Sequence, residues 1–181
     1  MKDRTSWTNW AGNQSCAPTA VRRPTSEGEL VTLVKDAAAA GTRVKCVGAG
    51  HSFTPIACTD GILVDLSGYG RLLSHDVEAR TVTVQAGISL STLSDVLDER
   101  GLALENMGDI GYQSLAGATA TATHGTGWHF GNISSRIVAM RLIAGDGSIV
   151  EATADENPEV LAAARVGLGA LASSPPSPCR R

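Results

Sequence analysis

The 181-residue sequence predicts an α+β fold, with a small helix-flanked α/β piece first and an antiparallel piece after it. Three observations carry this. "PTSEGELVTLVKDAAAAG" has the apolar spacing of a helix. Two short apolar runs, "TRVKCV" and "GILVDLS", follow it closely. Later, "RIVAMRLIAGDGSIVEA" reads as two strands around Gly145-Asp146-Gly147, a hairpin signal.

Each element has a local reason. Ser26 and Glu29 fit a capping box at the start of the first helix. Leu30, Leu33, Val34, Ala37 and Ala38 form its apolar stripe, and Gly41 ends it. "TRVKCV" is a strand that runs into a Gly-Ala-Gly turn. "GILVDLS" is apolar at nearly every position, the pattern of a strand buried on both faces. "ARTVTVQAG" alternates, as a half-exposed strand does. "SLSTLSDVLDERG" is a helix with Leu93, Val96 and Leu97 inward and Gly101 as its stop. "NPEVLAAARVG" is the last helix. Trp7 and Trp10 either pack under the first helix or belong to a loosely ordered terminus.

Composition narrows the function. The net charge is −3 and no Lys/Arg block occurs, so the basic face that nucleic acid demands is missing. No apolar run reaches the length of a bilayer span. "MKDRTSWTNWAG" has no apolar signal core, and a cytoplasmic protein is expected. Cys16, Cys46, Cys58 and Cys179 make no C-x-x-C pair, so neither a disulfide framework nor a zinc site is expected. Cys46, inside an apolar run, is expected to be buried as a small hydrophobe.

Two stretches carry the chemistry. "VGAGHSFTPIACTDG", from Val47 to Gly61, places glycines on both sides of Ala49 directly after a strand. Such turns gather backbone N–H groups around phosphate. The dinucleotide fingerprint G-x-G-x-x-G fails here, because Phe53 stands at the third glycine's place and Thr54-Pro55 follows. No Gly-Lys-Ser/Thr of a P-loop occurs. The second stretch, "GDIGYQSLAGATATATHGTG", fits no periodic template. It reads either as low-complexity disorder or as a close-approach surface. Ser114, Thr119, Thr121, Thr123 and Thr126 would then offer hydroxyls to an anion. Ser114 to Thr121 is expected to be a short helix whose free N–H groups face a ligand. Two separate stretches suit an extended ligand with a pyrophosphate in its middle. His51, His124 and His129 share no spacing with an acidic or thiol ligand, so no metal is expected. His75 and His129 read as surface residues. His124 also reads as the cap of a turn.

Both stretches, in this order, resemble the FAD-binding segments of the sugar-lactone and alditol oxidases, within the vanillyl-alcohol oxidase superfamily. The opening "WTNWAGNQSCAPTAVRRPTS" is similar to that group as well. The resemblance covers roughly Trp7 to Leu171. It implies the FAD-binding domain of vanillyl-alcohol oxidase type and a sugar lactone or polyol as substrate. Oxygen or another electron acceptor would be the second partner. It implies that Cys46, Val47, Gly48, Ala49, Gly50, His51 and Ser52 cradle the FAD pyrophosphate, and that His51 is the candidate for a covalent bond to the flavin. Asp109, Ser114, Gly117, Thr121, Ala122, Thr123 and His124 match further FAD-contacting positions, Asp109 through its backbone. No catalytic acid or base is assigned in this chain.

The end, "GLGALASSPPSPCRR", changes character at Ala172. Relatives continue there as an antiparallel strand, which three prolines forbid. Reading the codons one base earlier, with TCN serines, admits Gly-Val-Ile-Thr-Ala-Val-Thr-Leu, which alternates as a strand does. The expected organisation is an N-terminal segment at 1–12, the FAD-binding domain at 13–171 and an aberrant tail at 172–181. A truncated chain without the relatives' substrate domain follows from this. The alternatives are an inactive flavin-binding fragment, or a member of the superfamily that acts on cell-wall precursors or phenols.

Overall fold

The computed structural model describes residues 6–171. A two-stranded hairpin opens it, β1 (Trp7–Thr8) with β2 (Ser15–Cys16). Next come β3 (Ala20–Arg22), α1 (Glu27–Ala39), β4 (Val44–Val47) and β5 (Ile62–Asp65). These strands form a parallel sheet in the order β3-β5-β4. An antiparallel pair follows, β6 (Leu72–Asp76) with β7 (Thr81–Val84), then α2 (Leu90–Asp98) and α3 (Leu115–Ala120). The hairpin β8 (Met140–Ile143) with β9 (Ile149–Ala152) precedes α4 (Pro158–Ala164).

The central strand β5 is buried on both faces, as its unbroken apolar run requires: Leu63 and Val64 are 0% and 1% exposed. Helix α1 lays Leu30 and Ala37 against Val44, Val64 and Leu66. Its start differs in one bond from a capping box. The Ser26 Oγ accepts from the Glu29 N–H at 3.3 Å, but the Glu29 carboxylate reaches back one residue further, to the Thr25 N–H at 2.8 Å. Helix α2 divides its apolar side between two clusters. Leu93 and Leu97 pack with Ile88, while Leu90 packs with Ala118 of α3 and with Ile133.

The antiparallel part is not one sheet. Among the described residues it is three separate two-stranded ribbons, β1–β2, β6–β7 and β8–β9. A lone ribbon is marginal in water and depends on what it packs against. Val82 and Val84 of β7 sit against the Ile88 cluster, and Ile143 of β8 sits against the α1 cluster. The turn at Gly145-Asp146-Gly147 closes through Ala144 N to Ser148 O at 2.8 Å, with the Asp146 carboxylate accepting from the Ser148 N–H. Arg141 ties β8 to α1 and β9 through Glu27 and Glu151.

Among the described residues, no helix is long and apolar enough to cross a membrane, and no group of His, Cys, Asp and Glu is arranged to hold a metal ion. The aberrant tail at 172–181, with the strand read into it and Cys179, lies outside the described residues, as do residues 1–5.

Candidate functional site

Strand β4 feeds the site. It is an edge strand of the parallel sheet, so its end is covered from one side only. Cys46 is exposed there, not buried as its apolar run predicts. Burial by surrounding protein nonetheless pushes its thiol up to about 11, against a smaller opposing pull from Lys45. Val47 closes the strand and is buried.

Gly48 to Ser52 then form an irregular loop whose two polar edges are separated. The carbonyl edge is held by the N-terminal hairpin. Gly50 O accepts from the Trp10 N–H at 3.0 Å, and Ser52 O accepts from the Asn9 amide at 3.0 Å. Phe53 O accepts from Asn13 and Gln14 at 3.1 and 3.2 Å. The N–H groups of Ala49, Gly50, His51 and Ser52 donate to nothing among the described residues. Gly50 adopts φ +71°, in the left-handed region, and a Cβ there would approach the Trp7 ring at 3.1 Å. A left-handed residue within a run of free N–H groups makes a concavity for an anion.

Trp7 and Trp10 therefore neither lie under α1 nor dangle. They pack on this loop. The Trp10 ring lies 5.2 Å from the His51 ring, tilted by 35°, and meets Phe53 edge-on at 6.5 Å. His51 and Ser52 are half-buried. Asn9, 4% exposed, is the pivot: its amide donates to Asn13 and Ser52, and its carbonyl oxygen accepts from the Gln14 N–H.

The second stretch does form a short helix, α3, capped at Ser114, whose Oγ accepts from the Gly117 N–H at 3.2 Å. Its N–H groups are not free, contrary to the expectation from sequence. Leu115 N donates to Ile88 O at 2.8 Å and Ala116 N to Ala86 O at 2.9 Å. The strand-like crossing of Ser89 over Ser114 brings those carbonyls to the helix start. The Thr119 hydroxyl is buried and donates to Leu115 O and Ala116 O, and that of Thr121 donates to Gly117 O. Thr119 is thus turned inward, while Thr121 is exposed with its hydroxyl engaged on its own helix. The Ser114 and Thr123 oxygens act as acceptors inside the protein, which leaves their own hydrogens to give.

After the helix, Ala122 takes φ 55° and turns the chain. Thr123 is tied back by its N–H to Ala118 O and by its hydroxyl to the Gln113 amide. His124 is exposed, with Nδ1 2.8 Å from Gly125 O, which is a turn-capping geometry. Asp109 is exposed in the run before α3. The two stretches meet where Gly48 touches Ser114. Composition alone did not single out Asn9, Asn13, Gln14 or Gln113. Their amides do the bracing, and the only trace in the sequence is the clustering of carboxamides in "NWAGNQ".

The residues fit FAD. Four successive N–H groups of the glycine loop have no partner among the described residues, a set that suits a pyrophosphate. The five exposed aromatics, Trp10, Phe53, Tyr112, Trp128 and Phe130, all lie on or beside the two stretches, as a planar ring system and a covering partner would require. The comparisons agree. The chain is 52% identical over 165 residues to an L-gulono-1,4-lactone dehydrogenase of Mycobacterium tuberculosis, covering 91% of this chain and 38% of that protein. It is 40% identical to an L-gulonolactone oxidase of Mus musculus, over 90% of this chain and 37% of that protein. A D-arabinono-1,4-lactone oxidase of Kluyveromyces lactis is 36% identical over 90% of this chain and 32% of its own length. The chain thus spans less than two-fifths of the relatives it matches. Residues 18–153, which hold both loops and the sheet between them, match the FAD binding domain family, and the chain belongs to it.

Proposed function

We propose that this chain is the FAD-binding portion of an aldonolactone or alditol oxidoreductase, of the vanillyl-alcohol oxidase fold type. The observation that carries the cofactor reading is the divided loop at 48–52. Its Gly50 and Ser52 carbonyls are occupied by the hairpin, and the N–H groups of Ala49 to Ser52 are left for an anion. The relatives' names point to a sugar lactone as the substrate class. A polyol as alternative substrate, and oxygen or another acceptor as the second partner, belong to the same proposal.

When bound, FAD supplies the acceptor for a hydride from a substrate carbinol carbon. The chain's own residues hold it. Amides of Ala49 to Ser52 take the pyrophosphate, with Cys46, Val47 and Gly48 forming the approach. Ser114, Gly117, Thr121, Ala122, Thr123 and His124 line the facing wall, and Asp109 contributes backbone. His51 is the tether: a neutral imidazole nitrogen is a nucleophile, and the Trp10 ring against it restricts its rotation. A soluble cytoplasmic setting belongs to the same proposal.

The test is an absorbance spectrum of the purified protein before and after acid precipitation. Flavin bands that stay with the precipitate support both FAD binding and the tether. Flavin released to the supernatant keeps the cofactor and removes the tether. A colourless protein that takes up no added FAD refutes the reading. Flavin binding without turnover is the second reading, in keeping with the match of residues 18–153 to an FAD binding domain. A flavin spectrum with no bleaching by L-gulono-1,4-lactone or D-arabinono-1,4-lactone would select it.

A further inference from the structure

Two thiols outside this machinery are aligned by the parallel sheet. Strand β3 pairs with β5 in the register Ala20↔Ile62, Val21↔Leu63 and Arg22↔Val64. Thr19 extends the alignment, its N–H donating to Gly61 O at 2.8 Å and its hydroxyl to the same oxygen at 2.9 Å. The partners are 42 residues apart throughout. Carried back past Pro18, the same separation sets Cys16 level with Cys58. Neighbouring chains in a sheet lie ~4.8 Å apart, inside the ~4.4–6.8 Å between Cα atoms that a disulfide spans.

The side chains follow the backbone. Cys16 and Cys58 line one open depression of about 420 Å³, together with Ala17, Arg43, Thr59 and Asp60. Both are free and half-buried. The Cys58 thiol is held above the usual range by burial and then by the neighbouring Cys16 thiol. Cys46 is elsewhere, beside Val64 on the opposite flank of β5.

We propose that Cys16 and Cys58 form a reversible thiol–disulfide pair, oxidised by peroxides, that staples the N-terminal hairpin to the chain just beyond the His51 loop. Cys16 ends β2, and the hairpin that it closes holds the carbonyls of Gly50, Ser52 and Phe53. Cys58 caps the short turn Pro55–Ala57 that follows the same loop. One thiolate attacks the O–O bond of hydrogen peroxide, which gives a sulfenic acid and one water. The second thiolate displaces hydroxide from that sulfur, which forms the S–S bond and a second water. Two electrons pass from the sulfurs to the peroxide, and both thiol protons leave in water. A thiol reductant reverses the bond by exchange. The staple needs no flavin, so it stands apart from the cofactor reading.

The test uses the full chain, fully reduced, then exposed to hydrogen peroxide, quenched, alkylated under native conditions and digested. The expected result is a Cys16–Cys58 linked peptide with Cys46 still alkylated. The thermal midpoint should rise by about 5–10 °C, and dithiothreitol should reverse both changes. Cys58→Ser should lose the linked peptide and stop at a Cys16 sulfenic acid that dimedone traps. The proposal is overturned if both thiols remain alkylatable after peroxide, or if the linkage formed involves Cys46 or Cys179. It is also overturned if the urea-unfolded chain gives the Cys16–Cys58 peptide in equal yield, because the fold would then play no part in the pairing.

Discussion

A Cβ placed on Gly48 falls 2.0 Å from the Ser114 Oγ and 3.0 Å from the Ser114 Cβ. The first loop and the start of α3 therefore meet where only a hydrogen fits. Ser114 has little room to yield. It is 8% exposed, and its Oγ is held by the Gly117 N–H.

Gly48→Ala should cost about 1–3 kcal/mol through this overpacking. Adding Ser114→Gly should recover part of the loss, since glycine at an N-cap costs only a few tenths of a kcal/mol. Urea unfolding of both single variants and the double variant measures the coupling. Strictly additive losses would mean that the contact does not constrain the loop.

Trp10→Ala should reduce flavin retention through acid precipitation several-fold, while costing roughly 1 kcal/mol of stability from the lost ring contacts. His51→Ala should release all flavin to the supernatant and leave the native spectrum flavin-like. Precipitable flavin in His51→Ala would move the tether to another residue.

The hydrogen bonds from Arg141 to Glu27, at 2.6 and 3.0 Å, hold the Glu27 carboxyl below its ordinary value of 4.5, with burial opposing. A carboxyl with a depressed folded pKa stabilises fully above its unfolded pKa. The benefit is lost as pH falls through the lower folded value. Thermal midpoints of the wild type and Arg141→Ala should differ at pH 7 and converge as pH falls below the ordinary Glu27 value of 4.5. Added salt should narrow the gap, since the pair is solvent-accessible. A constant gap down to pH 3 would assign the effect of Arg141 to packing instead.

Leu63→Ala, at the fully buried centre of β5, should cost about 2–5 kcal/mol. Ile149→Ala, partly exposed on β9, should cost under about 1 kcal/mol. Equal losses in denaturant unfolding would remove β5 from the centre of the core.

Much of the framework was legible. The helix from Glu27, the central strand, the hairpin about Asp146 and the Ser114-capped helix all stand where the sequence places them. Strand β6 was not, because "LLSHD" carries too many polar residues to alternate, and only pairing with β7 holds it extended. Among the described residues, the single antiparallel unit expected after the α/β piece is two separate ribbons, β6–β7 and β8–β9, because ribbon pairing depends on what lies beside each one. The exposure of Cys46 was hidden too, since an apolar run does not reveal that its strand is an edge.

The sequence by itself determined most of the helices and strands, the place of the glycine loops, and membership of the FAD binding domain family over residues 18–153. Those signals are written within a few residues: a cap and its partner three positions on, a period of two, a glycine where a turn must close. Only the tertiary structure decided which polar groups are left for a ligand. The α3 amides are taken by carbonyls of Ala86 and Ile88, whereas the amides of Ala49 to Ser52 stay open because Asn9 and Trp10 hold the loop by its other edge. A hydrogen bond closes only within about 3 Å, so which donors remain free is settled by segments that are distant along the chain and meet only in the folded protein.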